Sequence, residues 1–547
     1  MRNTIILILI YFCLGLFGLL NHAMWRDELN VWLLVRDSNS LWELFHNLKY
    51  EGHPGLWYIC LAWLNQFTDN PVIMQMFHLL LATGSVALFV IYSPFTKLQK
   101  ILFTFGYLPI YEYLLISRNY AIGILLVFAF CALFEQRHKG YLLLAIILFL
   151  MANTNAYCLF IATALGITLI LEYLLGRRIG YTSTASNTKS DMDNPVMSHP
   201  VETLHATSLQ GFAVGSKRGW SNRIWYKLNL LGSIMIFCLG IVSSIAQMIP
   251  PNDSTLQGGL NLWRLQFDPR HLAMALTRIW SSYLPIITPA DSKYLDVVVF
   301  ALISLILLLW VSTMLRQKPV AWLFYSLGTL EMLFFTYAKF LGSARHYGHL
   351  YIILIVALWL ASYYPQSDFL IQPLRHLPNS VQQGITRWFS FVAKYKNTLI
   401  MLILASQVAT GMVAFSRDLF VPYSASRETA QFIQLEQLDK MFIVGSQDAR
   451  VSPIAGYLQR QIYYPESQAL GSFVLFNNQR TEVNSAMVLE QVSQLLQQQQ
   501  TETLLILNYE LDSSRVDLSI SPLAQFTNSF IHDEKYYLYI LKPSDTM

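Results

Sequence analysis

The sequence predicts a polytopic α-helical membrane protein of about eleven spans, followed by a small C-terminal α/β domain. Of its 547 residues, 54% are hydrophobic and only 13% are charged, whereas soluble domains are about one quarter charged. The apolar residues collect in runs of roughly 15 to 22, the length at which a helix crosses a bilayer. A water-soluble enzyme of this length would instead divide into several cores with charged surfaces.

Eleven apolar runs are the predicted spans. They lie at 4–20, 71–93, 101–116, 119–134, 140–153, 157–175, 228–249, 296–314, 319–336, 349–363 and 398–415. The first run follows Arg2 and resembles a signal peptide, but no small-residue cleavage site follows it. We therefore expect it to stay in the protein as an uncleaved span.

The basic residues predict the orientation. With the N-terminus in the cytoplasm, every cytoplasmic connection carries lysine or arginine, as the positive-inside rule requires. Segments 21–70, 250–295 and 416–547 then lie outside. The apolar run 54–67 would reverse this arrangement if it crossed the bilayer, but about eleven apolar residues suit a re-entrant or interfacial helix better. We expect a multi-pass protein of the cell (inner) membrane.

Two polar regions complete the domain organisation. Residues 1–415 form the membrane domain, in which 176–227 is a cytoplasmic loop rich in Ser, Thr and Asn. Residues 416–547 form the extracytoplasmic α/β domain, with strands at 441–444 and 504–507, helices at about 424–437 and 485–499, and a closing hairpin in 530–540. No glycine-rich phosphate-binding motif marks this domain as a nucleotide site.

Charge and cysteine usage exclude several classes of function. The net charge is only +4 and no basic stripe with interleaved aromatic residues is present, so nucleic acid is not an expected partner. All five cysteines lie in apolar stretches. Neither a disulfide framework nor a paired-cysteine metal site is therefore expected.

The first external loop, 21–70, carries the candidate chemistry. Asp27 and Glu28 follow the first span, and two amphipathic stretches come after them, the second opened by a capping box of Ser40 and Glu43. Helices of this kind lie in the membrane interface. The two carboxylates complement a helix dipole in the simplest interpretation. In the functional interpretation, a partly desolvated carboxylate acts as a general base.

Three segments resemble the GT-C glycosyltransferases, in particular the dolichyl-phosphate-mannose–protein mannosyltransferases and the aminoarabinose transferase of lipid A. They are the Asp-Glu pair with His53-Pro about 26 positions later, residues 111–120 with Arg118 and Tyr120, and residues 343–348. The family's His-Pro-Pro is His53-Pro-Gly here. The acidic residue of its second motif is Ile116 here, and Glu112, one helical turn earlier, is the expected substitute.

The resemblance implies transfer of a sugar from a polyprenyl-phosphate donor to an acceptor on the external face. Asp27 then corresponds to the catalytic base, and Glu28 orients it or binds acceptor. The leaving phosphate needs a fixed cation, for which Arg118, Arg345 and His346 are the candidates. His53, Tyr120 and Glu112 are expected to bind substrate. No cofactor or metal is required, although Asp27 and Glu28 could share a divalent ion. The acceptor is a protein, a lipid or a glycan.

Three other functions stay open at this stage. A transporter would carry charges at the membrane midplane and repeated halves, and the sequence shows no repeat between its halves. A lipid-linked-sugar polymerase or ligase uses overlapping donor chemistry. The protein could also be a non-catalytic scaffold of surface-polysaccharide assembly. Such a scaffold would have no glycosyl-transfer activity, so replacement of Asp27 could not abolish one.

Overall fold

The computed structural model describes residues 2–175, 218–256, 264, 266–499, 501–512, 514–515 and 517–543. Of the segment predicted as a cytoplasmic loop, 176–217 lies outside the described residues. The remainder of that segment is helical and not a loop, because a helix runs from Arg218 to Met248.

The first part of the chain is almost entirely helical. Its helices are α1 (Arg2–Asn21), α2 (Arg26–Arg36), α3 (Leu41–Leu48), α4 (Leu56–Asn65), α5 (Val72–Tyr92), α6 (Lys97–Thr104), α7 (Tyr120–Leu133), α8 (Leu142–Ala152), α9 (Ala156–Leu175), α10 (Arg218–Met248), α11 (Pro269–Tyr283), α12 (Tyr294–Leu315), α13 (Pro319–Ala338), α14 (Ala344–Tyr347), α15 (His349–Ala361) and α16 (Asn379–Phe420).

The membrane class is confirmed, with nine uninterrupted spans among the described residues instead of about eleven. The predicted span 101–116 is divided into α6 and a π-helical turn at Leu108–Glu112. Pro109 within that turn has no N–H to donate, which favours such a break. The predicted span 140–153 is α8, whose 11 residues extend over about 16 Å, roughly half of the hydrocarbon core.

Helix α15 lies at the centre of the bundle. All of its residues except Leu358 and Ala361 are buried, and its neighbours include α7, α9, α11, α12 and α13. Helices α1, α10 and α12 instead expose large apolar side chains, such as Leu9, Leu239 and Leu302. Exposed aliphatic faces of this kind are suited to contact with lipid.

Helices α2, α3 and α4 form a small apolar cluster of their own at one end of the bundle. Ser40 begins α3, and its Oγ accepts a hydrogen bond from Glu43 N at 3.1 Å. The predicted capping box is only half formed, because the Glu43 carboxylate accepts from Asn39 N and not from Ser40 N. Every residue of α2 from Glu28 to Val35 is buried in the protein, so this part of the helix does not expose the apolar face with which an interfacial helix would contact lipid.

The C-terminal part is a six-stranded sheet covered on both faces. Its helices are α17 (Ser426–Leu435), α18 (Asp448–Leu458) and α19 (Ser485–Gln499), and its strands are β1 (Phe442–Gly445), β2 (Ile462–Tyr464), β3 (Ala469–Gly471), β4 (Thr503–Leu507), β5 (Leu518–Phe526) and β6 (Tyr536–Pro543). The strand order is β3-β2-β1-β4-β6-β5. Strands β2, β1 and β4 are parallel, and the other pairings are antiparallel.

Side chains of successive residues in the central strands point to opposite faces of the sheet. Ile443 and Leu504 pack with α17 and α18, whereas Val444 and Leu505 pack with α19. The closing hairpin is present and is formed by β5 and β6. Of the predicted segment 530–540, residues 530–535 belong to the connection between these strands and only 536–540 belong to a strand. The predicted boundary at residue 416 falls inside α16, which continues to Phe420.

The C-terminal domain packs directly on α2. Helix α18 contacts α2 along its length, and a Cβ at Gly456 of α18 would lie 3.2 Å from Leu29 Cδ2. On another side of α2, Asn30 Oδ1 accepts a hydrogen bond from Val474 N at 2.8 Å. The C-terminal domain thus contributes to the burial of α2, together with the apolar cluster that α2 forms with α3 and α4.

Candidate active site

Asp27 lies in the first turn of α2 and forms an ion pair with Arg345 of α14. The Arg345 Nη2 to Asp27 Oδ2 distance is 3.3 Å, and the Asp27 side chain is 34% exposed while that of Arg345 is 13% exposed. The Arg345 guanidinium also lies 4.8 Å from the centre of the Trp25 ring. A carboxylate held beside a fixed cation, yet reachable from outside, is suited to act on a bound hydroxyl group.

Arg118 brings a second cation to the same place. It lies just before α7 and is buried, and its Nη1 donates a hydrogen bond to the Asp27 carbonyl oxygen. Its Nη2 lies 3.2 Å from His53 Nε2. Burial, together with the positive charge of Arg118, lowers the pKa of His53 to about 3. His53 is therefore neutral, and its Nε2 accepts from Arg118.

Glu28 is directed away from Asp27 and is completely buried. Its Oε1 accepts a hydrogen bond from Ser117 N at 2.6 Å. Its Oε2 lies 3.0 Å from His22 Nε2 and 3.3 Å from Trp25 N. With both oxygens occupied by protein groups, Glu28 is not placed to bind an acceptor.

His346 and Tyr120 form an aromatic wall beside Arg345. The His346 ring packs edge-on against Tyr120 at 5.8 Å and stacks on Tyr157 at 5.3 Å. Its Nδ1 accepts a hydrogen bond from Ser343 N at 2.9 Å, which begins α14. His346 therefore holds the turn that carries Arg345, in addition to lying near the site.

Glu112 is buried in the π-helical turn and is bound to Tyr107, whose hydroxyl donates to Glu112 Oε1. The described hydrogen bonds do not join Glu112 to Asp27 or Arg118. Its carboxylate acts on Arg345 only through longer-range charge interaction.

Glu51 is a site residue that our sequence interpretation did not select. Its Oε1 accepts a hydrogen bond from Asn30 Nδ2 at 2.9 Å. Burial raises the pKa of Glu51 to about 7, Arg118 lowers it and Asp27 raises it further. The sequence signal was its position two residues before His53, in the segment that carries the resemblance.

The C-terminal domain supplies two carboxylates to the start of α2. Glu534 Oε1 accepts a hydrogen bond from Arg26 N at 3.2 Å, and Asp533 Oδ2 lies 2.9 Å from Arg26 Nη1. Burial raises the pKa of Glu534 to about 8, while a hydrogen bond from Ser424 and the charge of Arg26 oppose the rise. These two residues, over 500 positions from α2, complete the helix end that carries Asp27.

The arrangement does not fit an ion shared by Asp27 and Glu28, because both Glu28 oxygens already accept hydrogen bonds from N–H groups. A divalent cation prefers several free oxygen ligands. Within the described residues, no group of three or more His, Cys, Asp or Glu side chains is arranged to hold a metal.

No protein-family model matches the sequence, and no curated protein matches it. Two solved structures of ArnT from Cupriavidus metallidurans are similar to this chain. The structure bound to undecaprenyl phosphate has a TM-score of 0.48 at 11% identity. The apo structure has a TM-score of 0.39 at 13% identity. Each comparison covers 98% of this chain and 97% of the other.

Proposed function

We propose that this chain is a membrane glycosyltransferase that moves a sugar from a polyprenyl-phosphate donor to an acceptor hydroxyl on the extracytoplasmic face. One observation carries the proposal: the Asp27 carboxylate lies 3.3 Å from the Arg345 guanidinium. The pair lies beside Arg118, at the end of the bundle that the C-terminal domain covers. The site thus combines a base with two cations at a helix end.

Asp27 is the general base of the proposed reaction. It takes the proton of the acceptor hydroxyl as the acceptor oxygen forms a bond to the anomeric carbon of the sugar. The bond between that carbon and the carrier phosphate breaks, and the phosphate oxygen leaves with the electron pair. Since a phosphate is a good leaving group, alignment and one base are the main requirements.

Arg118 and Arg345 bind the departing phosphate. Arginine presents a planar fork of N–H donors that matches phosphate oxygens, and Arg345 Nη1 is buried without a hydrogen-bond partner among the described residues. Both side chains lie at helix ends, Arg118 before α7 and Arg345 at the start of α14. A polyprenyl phosphate held in the bilayer by its chain presents its headgroup at this depth.

The location of these charges favours a transferase over a transporter. Coupling charges of transporters lie near the membrane midplane, often where a helix is broken. Asp27, Arg118 and Arg345 instead lie within two residues of a helix start. The acceptor is a protein, a lipid or a glycan, and the proposed chemistry does not require a metal.

Mass spectrometry of lipid-linked sugars in a strain lacking this protein tests the proposal. We expect one polyprenyl-phosphate sugar to accumulate and one surface glycan or glycolipid to lose that sugar. Wild-type protein should restore both pools, whereas Asp27→Asn should not. Accumulation of a lipid-linked oligosaccharide would indicate a polymerase or ligase, and an unchanged lipid pool would overturn the proposal.

A further inference from the structure

Three buried ionisable side chains meet behind the site, two from the beginning of the membrane domain and one from its end. His22, just after α1, lies 3.0 Å from Glu28 of α2 through Nε2 and 2.8 Å from Asp418 of α16 through Nδ1. The exposed fractions of the His22, Glu28 and Asp418 side chains are 0%, 0% and 2%. Removing one partner of such a buried pair is strongly destabilising, because the other group is then left without a partner, so each of the three groups depends on the others for its position.

The geometry suits an imidazolium at His22. Each ring nitrogen faces a carboxylate oxygen, and an imidazolium can donate a hydrogen bond from both nitrogens. Burial alone would lower the pKa of His22, but the charges of Asp418 and Glu28 outweigh burial and raise it to about 10. With this raised pKa, His22 keeps its second proton, and therefore its positive charge, throughout the neutral range.

Other polar groups surround this imidazolium. The Tyr423 ring lies 5.1 Å from the His22 ring, centre to centre, and the Arg427 guanidinium of α17 donates to the His22 carbonyl oxygen. His78 of α5 interacts with His22 through weak charge repulsion, and Tyr111 interacts with Asp418. Among these contacts, only the two carboxylates hydrogen-bond to the His22 ring.

Glu28 connects this cluster to the reacting groups. Its Oε1 accepts a hydrogen bond from Ser117 N, and the residue after Ser117 is Arg118. Its Oε2 accepts from Trp25 N, although at a longer 3.3 Å, and the Trp25 ring lies against the Arg345 guanidinium. The position of one carboxylate therefore affects the base-bearing turn of α2 and both cations.

We propose that His22 and Asp418 are positioning residues for the transfer reaction, and this inference rests on the proposed function. Asp418, at the end of the last membrane helix, and the His22 imidazolium together hold Glu28 in the orientation that places Arg118 and Asp27. Neither residue touches substrate.

Asp418→Asn tests this inference, because asparagine keeps the shape and still accepts from Nδ1 but removes one of the two charges that retain the His22 proton. At about pH 6 the purified variant should keep most of the wild-type kcat. Between about pH 6 and 9 its kcat should fall at least tenfold more than that of wild type, since the pKa of His22 moves back toward its ordinary range. A group whose pKa is raised in the folded protein loses its stabilising proton as pH rises, so the fall must be on the alkaline side.

The double variant His22→Gln with Asp418→Asn is the matched control. It should have a lower kcat at every pH and no extra alkaline fall, because no imidazolium is left to titrate. An Asp418→Asn profile parallel to the wild-type profile would overturn the inference while leaving the proposed function intact. Absence of sugar transfer by the wild-type protein would overturn both.

Discussion

Asp27 and Arg345 form a salt bridge between the first turn of α2 and the short helix α14, at an N–O distance of 3.3 Å. The two residues are far apart in sequence, and each is held by its own local contacts: α2 by Glu28 and the C-terminal domain, α14 by Ser343 and His346. The bridge therefore connects two elements from distant parts of the chain, each with hydrogen bonds of its own. In the proposed reaction, this carboxylate acts on an acceptor hydroxyl that reaches the exposed side of Asp27.

Replacement of Asp27 by asparagine keeps the shape of the side chain and removes its basicity. We expect glycosyl transfer to fall by about 10²-fold or more, the usual effect of losing a general base. Binding of the polyprenyl-phosphate donor, measured separately, should change little. Asp69→Asn is the matched control, because Asp69 is an exposed carboxylate in the same segment, and it should retain activity. Full turnover by Asp27→Asn would remove Asp27 from the mechanism.

Replacement of Arg118 by alanine should weaken donor binding and slow transfer together. We expect a loss of about 2–4 kcal/mol in kcat/KM, the scale of one charge-assisted contact in a water-poor site. Arg118→Lys should recover only part of the loss, because lysine restores charge but not the planar fork. Arg264→Ala, at an exposed ion pair, should have little effect. If Arg118→Ala were fully active, the phosphate site would have to be assigned to Arg345 and His346.

Glu534 should make the stability of the protein depend on pH. Its folded pKa of about 8 lies above the ordinary value for glutamate, so the folded protein holds a proton that the unfolded chain releases. The contribution of Glu534 to stability is therefore largest at low pH and decreases as pH rises, by up to about 1.4 kcal/mol per pH unit between the two pKa values. Glu534→Gln should show a smaller decrease in Tm between about pH 6 and 8. An equal decrease in both proteins would assign the titration to another group.

The orientation predicted from the basic residues can be tested with introduced cysteines. In a background with the five native cysteines replaced by alanine, Thr527→Cys places a thiol in the exposed connection between β5 and β6. An impermeant reagent should label it in intact cells. Ser380→Cys, exposed near the start of α16, should be labelled only after permeabilisation. The reverse result would place the site and the C-terminal domain in the cytoplasm.

The membrane class could be predicted from the length of the apolar runs, and the C-terminal sheet could be predicted from short apolar strands bounded by turn residues. The helix at 485–499 and the strands near 442 and 504 follow from local patterns. The break at Gly106–Pro109 was not anticipated, because the apolar run around it is long enough to span and a proline within such a run can also be accommodated by a kinked, continuous helix. Strand β5 was missed for a related reason, since most of its residues are not buried and its polar positions resemble a loop.

Site residues could be predicted where they belong to a short sequence motif, and could not be predicted where they meet only through tertiary packing. Asp27, His53 and Arg118 belong to short segments with a recognisable resemblance, and the structure brings them together. His22 and Asp418 have no neighbouring signal, because their pairing joins the two ends of the membrane domain. The burial of α2 was likewise hidden, since the residues that cover it lie in the C-terminal domain.

The hydrogen bond from Arg26 N to Glu534 has a consequence for biosynthesis. The start of the helix that carries Asp27 precedes Glu534 and Asp533 by more than 500 residues in the chain. Because domains generally fold in the order in which they are made, the N–H group of Arg26 has no Glu534 carboxylate to bind until the C-terminal domain has been made and has folded. A chain truncated before Asp533 would insert its membrane helices but leave this helix end without its two carboxylates, so assembly of the site depends on folding of the C-terminal domain.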